Sequence, residues 1–246
     1  MSAPDFREAG HLPKRRRQGE EAANPFDLPR QRRGKTPQMH GRYPDYDVLE
    51  QSPHWDEVTR ELIEKRERET PPIRFFSAEE VAALRPFCEV VTAQDGEPRI
   101  PVIEMVDRKM YEGELDGYRY DDMPADTETW RLVATGLDEA ARARGADSFA
   151  AAGDEQRFEI CTDFAAGELS GGVWEEISPA KAWGVVMRGV LSQFYSHPWA
   201  WNEIGYGGPA YPRGYMRLAQ GERDPYEGEE VGGEDPVRAV RRRGLP

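Results

Sequence analysis

Apolar side chains recur every three or four residues through the middle of the chain, and several of these runs open on a helix-capping signal. Ser77 is followed three residues later by Glu80, the spacing of a capping box, and Ser178 stands directly before Pro179, a combination favoured at helix starts. A period of about 3.6 residues gives each helix one apolar stripe, which must be buried against other helices. The sequence therefore predicts an all-α fold without a sheet.

Six helices are predicted from these stripes and their start signals. They begin near Ser52-Pro53, Ser77, Pro101, Asp126, either Gly153 or Asp154, and Ser178. Asp126 is expected to be the cap of its helix. The first helix is expected to turn Trp55, Val58 and Leu62 inward, and the last to bury Leu191 among its apolar residues. The interpretation is an irregular helical domain of about six helices.

Proline and charge set the two ends of the chain apart from this helical middle. Nine of the twenty prolines lie in residues 1–72, where they interrupt helix and sheet because proline lacks a backbone donor. Acidic residues, and after them arginines, crowd the C-terminal end. The predicted organisation is an extended or disordered N-terminal arm over residues 1–72 with a short helix near 53–66, a helical domain over 73–219, and a charged tail over 220–246.

The charge balance argues against two classes of partner. Lys and Arg together number 33 against 46 Asp and Glu, which gives a net charge of −13 at pH 7. Phosphate backbones and anionic membranes attract basic surfaces, so no nucleic-acid partner is expected. The longest stretch without a charged side chain, residues 189–202, is shorter than the ~18 apolar residues of a membrane span, so no direct span is expected either.

A basic cluster near the start, Lys14 to Arg17, has the charge of an export signal but not the sequence that should follow it. Residues 18–21 read Gln-Gly-Glu-Glu, where an apolar core of ~7–15 residues would have to stand. The expected compartment is therefore the cytoplasm. Export to the periplasm together with a partner that carries a leader is the alternative.

Residues that could bind a metal are present, but not at the spacings that metals require. Only His11 follows a glutamate, Glu8, by three positions, whereas a di-iron helical bundle requires this pair on each of two helices. Asp121, Asp122 and Asp126 lack the spacing of a calcium loop. Cys88 and Cys161 are too few for a zinc cage and are expected to be buried free thiols. No metal site is predicted.

The signatures of catalysis and cofactor binding are also incomplete. Gly205, Gly207 and Ala210 match a loose dinucleotide fingerprint, but they follow a predicted helix instead of a strand. His54 and His197 are single imidazoles without an adjacent nucleophile. No catalytic or cofactor-binding residue is predicted. The alternative is a stand-alone carbohydrate-processing enzyme that uses His197 or His54 as a base in an aromatic site.

Residues 194–215, called the aromatic segment below, differ in composition from the rest of the chain. Seven of the chain's aromatic residues lie in these positions, where an even distribution would place about two, and six glycines and prolines between 205 and 214 impose turns. Rings and arginine on a fixed backbone are typical of binding hot spots, whereas a loop folded back over its own helices would bury them. The partner-binding interpretation names His197, Trp199, Trp201, Tyr206, Pro209, Tyr211, Arg213 and Tyr215.

The aromatic segment resembles the small subunit, also called subunit 3 or gamma, of gluconate 2-dehydrogenase-type complexes. The likeness lies in a helix that ends at Phe194-Tyr195, followed by Ser196-His197-Pro198, Trp201, Ile204-Gly205-Tyr206 and the run Gly208-Pro209-Ala210-Tyr211-Pro212-Arg213-Gly214-Tyr215. Weaker support comes from Tyr43-Pro44-x-Tyr46-Asp47-Val48-Leu49, from His54-Trp55 and from the helix that begins at Ser77. The resemblance spans residues 42–218.

This resemblance implies a helical accessory chain bound to a large FAD-dependent flavoprotein of the glucose-methanol-choline (GMC) oxidoreductase family. Such a flavoprotein oxidises an alcohol group of a sugar, a sugar acid or a polyol, and in many complexes a cytochrome c subunit takes the electrons. The resemblance implies no cofactor and no catalytic residue in the small subunit. The expectation is a non-catalytic subunit that binds and stabilises its flavoprotein.

Overall fold

The computed structural model describes residues 46–94, 96–115, 117–215 and 224–228, and within these ranges the chain is helical and contains no strand. The α-helices are α1 (Glu57–Arg68), α2 (Ala78–Val91), α3 (Val102–Glu112), α4 (Asp126–Ala143), α5 (Asp154–Ala166), α6 (Pro179–Phe194) and α7 (Pro198–Ile204). Two 3-10 helices accompany them in the same ranges, Val48–His54 and Gly172–Glu175. The predicted all-α class is confirmed.

Side-chain caps fix the starts of α2 and α6 where the sequence predicts them. The Ser77 hydroxyl accepts a hydrogen bond from the Glu80 backbone N–H (3.2 Å), and the Glu80 carboxylate accepts one from the Ser77 N–H (2.8 Å). This is the reciprocal capping box. The Ser178 hydroxyl accepts from the Lys181 N–H (3.4 Å), with Pro179 at the first helical position. Both predicted caps are confirmed.

Two features of the predicted helix set differ from the structure. Ala125, not Asp126, is the cap of α4, and Asp126 is the first residue inside the helix. Its carboxylate lies 3.5 Å from the Arg188 guanidinium, so it serves an ion pair instead of the helix end. The helix α7 was not predicted, because its few residues lie between a proline and a glycine-rich run that indicate turns.

The main core surrounds α4, which packs against α2, α5, α6 and the 3-10 helix Gly172–Glu175. Trp130 and Leu137 of α4 are fully buried there, together with Phe87 of α2 and Phe164 of α5. The Phe87 and Phe164 rings lie 6.0 Å apart, within the range of favourable aromatic pairs. This core holds α6 rigidly and so positions the aromatic segment that follows it.

The N-terminal helix begins later than predicted and turns a different face inward. Asp56 is its cap and accepts from the Thr59 N–H (2.9 Å), so Trp55 lies before the helix. Val58 and Leu62, expected to be buried, are 73% and 50% exposed, whereas Ile63 is 1% exposed. Starting the helix after Trp55 removes that ring from the helical stripe, and the inward face is then centred on Ile63.

Residues 46–68 pack against α7 and form a second, smaller core with it. Val48, Trp55, Ile63 and Trp201 are all buried in this cluster. The chain up to residue 72 was expected to be an extended or disordered arm apart from its short helix, but residues 46–68 belong to the folded unit. Residues 1–45 of that predicted arm lie outside the described residues, as does most of the predicted tail over 220–246.

A buried carboxylate fixes the extended stretch between α1 and α2. Asp107 of α3 is fully buried, and its two oxygens accept backbone hydrogen bonds from Arg74 (2.8 Å), Phe75 (2.9 Å) and Phe76 (2.9 Å). Bonds of this charge-assisted kind are stronger than neutral ones. Asp107 therefore holds residues 74–76 against α3 and sets where α2 begins.

Both cysteines are buried free thiols, as predicted. Burial raises the pKa of the Cys161 thiol to about 12, and burial together with nearby carboxylates raises that of Cys88 further. Neither sulfur is therefore a reactive thiolate at neutral pH. None of the helices in the described ranges combines the length and the apolar composition that a membrane crossing requires.

Candidate partner-binding surface

His197 connects α6 to α7 and begins the second of these helices. It is 1% exposed, and its Nδ1 accepts a hydrogen bond from the Trp199 backbone N–H (3.2 Å). An N-cap acceptor of this kind satisfies a helix donor that otherwise has no intrahelical partner. The ring also packs edge-on against Trp199, with centroids 4.9 Å apart. His197 therefore has a structural role inside the chain.

The buried imidazole is kept neutral. Burial, and to a lesser extent the positive charge of Arg66, lower the pKa of His197 to about 4. A general base needs a pKa near the working pH and access to a substrate, and this ring has neither. His54, the other histidine of the enzyme alternative, is exposed at the end of the 3-10 helix Val48–His54. The geometry of His197 thus argues against the enzyme alternative built on it.

The neutral state of His197 predicts a loss of stability in mild acid. The folded-state pKa lies below the unfolded value of about 6.5, so the unfolded chain binds more protons and stability falls as the pH drops through the window from about 6.5 to 4. Between pH 7 and pH 5 this group contributes a loss of about 2 kcal/mol. We expect His197→Asn, which keeps an N-cap acceptor, to show a correspondingly smaller loss in urea unfolding at the two pH values.

Comparing wild type with His197→Asn separates the contribution of the His197 imidazole from that of the many carboxylates that titrate in the same pH range. A variant that loses as much stability as the wild type between pH 7 and pH 5 would contradict the assignment. Stability of the two chains at pH 8 is the internal reference, because His197 is neutral in both folded and unfolded states there.

Trp201 lies inside the second core and not on the surface. It is 6% exposed, its indole N–H donates to the Tyr195 carbonyl (2.6 Å), and its ring meets Tyr206 edge-on with centroids 5.5 Å apart. The ring therefore joins the end of α6 to α7. The contacts of Trp201 are thus made within the chain. Its contact with a partner stays a prediction, and the burial of the ring in this conformation does not support it.

Asn202 is a residue of this site that sequence reasoning missed. It is 1% exposed, its side-chain oxygen accepts from the Val48 backbone N–H (2.7 Å), and its side-chain nitrogen lies 3.5 Å from the Asp47 carboxylate. A buried amide of this kind is costly unless its hydrogen bonds are made. The sequence signal that could have indicated this role is the position of the Asn202 amide at the end of the uncharged, largely apolar stretch 189–202.

The glycines that follow α7 serve close packing and not a dinucleotide. A Cβ on Gly208, whose φ is +73°, would lie 2.7 Å from Cζ2 of Trp55, and a Cβ on Gly207 would overlap the Tyr226 ring. The space in front of these glycines is therefore filled by the protein's own aromatic rings. The loop also follows a helix, as expected from the sequence, so the match of Gly205, Gly207 and Ala210 to the dinucleotide pattern has no phosphate site behind it.

Arg213 stabilises the loop over residues 205–214 through contacts within the chain. Its guanidinium donates to the Gln51 side chain (2.9 Å) and to the Gly207 and Pro209 carbonyls (3.1 and 3.2 Å), and it stacks 3.7 Å above the Tyr226 ring. The backbone carbonyl of Tyr226 in turn accepts from the Tyr46 hydroxyl (2.9 Å). Arg213 therefore binds the loop, residues near position 50 and residues 224–228 together.

The aromatic segment thus divides into buried and displayed residues. His197 and Trp201 are buried, and Trp199, Tyr206, Pro209 and Arg213 are partly buried. Tyr211 and Tyr215 are 66% and 62% exposed. The alternative in which the loop covers its own helices therefore describes the first part of the segment. Of the eight predicted contact residues, Tyr211 and Tyr215 are therefore the large side chains that the structure leaves most exposed.

Two of the three acidic residues considered for metal binding, Asp122 and Asp126, are used in ion pairs. Lys181 pairs with Asp122, and this hydrogen bond lowers the pKa of the Asp122 carboxyl. Arg188 lies near Asp126. Within the described ranges, no three His, Cys, Asp or Glu side chains converge as metal ligands would.

Comparison with known proteins gives a match to a family model over the helical part of the chain. No curated protein matches the chain, and neither does any solved structure. The family model of gluconate 2-dehydrogenase subunit 3 matches residues 78–208, which extend from the start of α2 to the glycine that packs on Trp55 and make up more than half of the sequence. The chain belongs to the gluconate 2-dehydrogenase subunit 3 family.

Proposed function

We propose that this chain is the non-catalytic small subunit of a dehydrogenase complex, in which it binds and stabilises a large FAD-dependent oxidoreductase of the GMC family. The match to the subunit 3 family over residues 78–208 is the observation that carries the proposal. The complex oxidises an alcohol group of gluconate or of a related sugar, sugar acid or polyol. FAD belongs to the large subunit, and a cytochrome c subunit is a candidate electron acceptor.

The chemistry of the aromatic segment supports a binding role over a catalytic one. Its histidine is buried, neutral and engaged as a helix cap. Its arginine is engaged by Gln51 and two backbone carbonyls. The rings that the segment exposes most to other molecules are those of Tyr211 and Tyr215, on a backbone fixed by these internal contacts. Rigid, exposed tyrosines provide large contact areas at a small entropic cost, which suits a protein partner.

Co-expression with a GMC-family flavoprotein from the same organism tests the proposal. We expect a stoichiometric complex in size-exclusion chromatography, with flavin absorbance that follows the large subunit. The flavoprotein should be more resistant to thermal unfolding in the complex, since a partner that binds only the folded state stabilises it. A flavoprotein that is equally soluble, stable and active alone, and that does not co-purify with this chain, would contradict the proposal.

The exposed tyrosines are expected to contribute to this complex. We expect the double variant Tyr211→Ser/Tyr215→Ser to weaken binding by about 2 kcal/mol, roughly thirtyfold in Kd, with little change in the stability of the free chain. Tyr111→Ser is the matched control, because Tyr111 is 55% exposed on α3, outside the aromatic segment. Equal Kd values for the double variant and the wild type, measured by biolayer interferometry, would remove these rings from the interface.

A further inference from the structure

The end of α6 and the end of α7 expose apolar side chains around a carboxyl group. Leu191 and Tyr195 lie one helical turn apart, joined by the Tyr195 N–H donating to the Leu191 carbonyl (2.9 Å), and are 40% and 47% exposed. Ile204, the last residue of α7, is 49% exposed and directly follows Glu203. These four residues, Leu191, Tyr195, Glu203 and Ile204, are called the Glu203 face below.

Glu203 is mostly removed from water yet is not paired within the part of the chain that the structure describes. Its Oε1 is buried and accepts no hydrogen bond there, and no basic side chain of those residues lies within ion-pair distance of the carboxyl group. A buried carboxyl group without partners is costly in its charged form. Burial accordingly raises the pKa of Glu203 to about 8.

The neighbouring charged groups do not relieve this cost. Tyr195 lies close enough for the negative charge of Glu203 to contribute, after burial, to raising the tyrosine pKa. Arg66 of α1 donates to the Ser196 carbonyl (3.4 Å), and its charge acts on His197. On the side of the 3-10 helix Val48–His54, Asp47 is bonded to the Asn202 side chain. Among the residues that the structure describes, Glu203 is therefore left as a carboxyl group without a hydrogen-bond or ion-pair partner.

We propose that the Glu203 face docks on an apolar surface of the flavoprotein that carries one arginine or lysine, and that this basic side chain pairs with the Glu203 carboxylate. The inference rests on the proposed function and adds the surface and the chemistry of its counterpart. Leu191, Tyr195 and Ile204 supply the apolar contact, and the unpaired carboxyl group supplies the charge complementarity. A desolvated ion pair at the centre of an apolar contact is specific, because a partner without the cation leaves the carboxyl group unsatisfied.

Pairing with a cation makes binding depend on pH in a defined direction. Below pH 8 the free chain carries Glu203 mostly in its protonated form, and the paired form in the complex is ionised. Binding therefore releases up to about one proton at pH 7. Affinity rises with pH up to about 8, at most tenfold per pH unit, and becomes independent of this group above that value.

Isothermal titration calorimetry of this chain against the flavoprotein with which it co-purifies tests the inference. Titrations at pH 7 in phosphate and in Tris, which differ in ionisation enthalpy, give the number of protons released. We expect wild type to release close to one proton, and Glu203→Gln to release fewer and to bind at least tenfold more weakly. Leu191→Ser should weaken binding and leave the proton release intact. Glu159→Gln, an exposed carboxylate on α5, is the matched control and should match wild type in both readouts.

The outcomes separate this inference from the function on which it rests. A stable complex with unchanged affinity and proton release in Glu203→Gln overturns the docking surface and leaves the proposed function standing. Absence of any complex overturns both. Wild-type chain that forms a dimer on its own, and loses it in Glu203→Gln and Leu191→Ser, overturns the inference by assigning the face to a second copy of this chain. Circular dichroism of each variant confirms that it is folded before titration.

Discussion

Asp107→Asn is expected to lower the free energy of unfolding by about 2–4 kcal/mol. The carboxylate accepts three backbone hydrogen bonds, from residues 74, 75 and 76, and is fully buried. An amide keeps one acceptor oxygen, loses the charge, and turns an –NH2 group toward backbone donors. Hydrogen bonds to charged groups contribute about 1.5–3 kcal/mol each, and an unsatisfied buried donor costs about 1–3 kcal/mol. Urea unfolding followed by circular dichroism measures the change.

Glu112→Gln is the matched control for this prediction. Glu112 lies on the same helix, and its carboxylate also contacts Arg74, but through the side chain (3.1 Å) and at the surface, with 40% of the glutamate side chain exposed. An ion pair of this kind contributes little, and we expect a change below about 1 kcal/mol. Equal losses for the two variants would show that the backbone bonds to Asp107 do not hold the link before α2.

Gly208→Ala is expected to destabilise the second core by about 3 kcal/mol or more. A left-handed backbone costs an L-residue about 1–2 kcal/mol, and the added Cβ would lie 2.7 Å from Cζ2 of Trp55 and 3.1 Å from Cγ2 of Val48. Both neighbours are buried, so neither can move aside without disturbing the packing against Trp201. Hydrogen exchange should then show faster exchange of the amides in residues 46–68, while α4 keeps its protection.

Gly214→Ala separates the two contributions. Its φ of +76° nearly equals that of Gly208, but no atom lies within 4 Å of the position that a Cβ would take. Only the backbone cost of about 1–2 kcal/mol applies there. We expect slower exchange in residues 46–68 for Gly214→Ala than for Gly208→Ala. The same exchange rates in both variants would mean that the contact of Gly208 with Trp55 does not hold this segment.

Local signals in the sequence were enough for the class of fold and for two helix starts. The Ser77–Glu80 box and the Ser178-Pro179 start depend on residues within one turn of each other, so spacing alone predicts them. The inward face of α1 was predicted wrongly, because a helix that starts at Glu57 instead of Pro53 presents different positions to the core. A small error in a boundary is enough to place Val58 and Leu62 on the wrong side.

The site was harder to predict because its contacts join distant parts of the chain. Asn202 bonds to Val48 across 154 positions, and Arg213 bonds to Gln51 across 162. Composition identified the aromatic segment. An irregular loop has no helical or strand periodicity, however, so the sequence does not indicate which aromatic rings are buried. The sequence does not distinguish Trp201 from Tyr211, but in the structure Trp201 is buried against Val48, Trp55 and Ile63, whereas Tyr211 is exposed.

The tie between Tyr46 and Tyr226 sets an order for events during biosynthesis. These residues lie 180 positions apart, and their hydrogen bond belongs to the same group of contacts as the stacking of Arg213 on the Tyr226 ring. The helices around α4 are linked by shorter loops and can assemble as the chain emerges, whereas long-range closures are slower because more chain entropy is lost. This group of contacts cannot form until the ribosome has translated position 226. In a nascent chain, the glycine-rich loop over residues 205–214 thus reaches its final structure after the helices around α4.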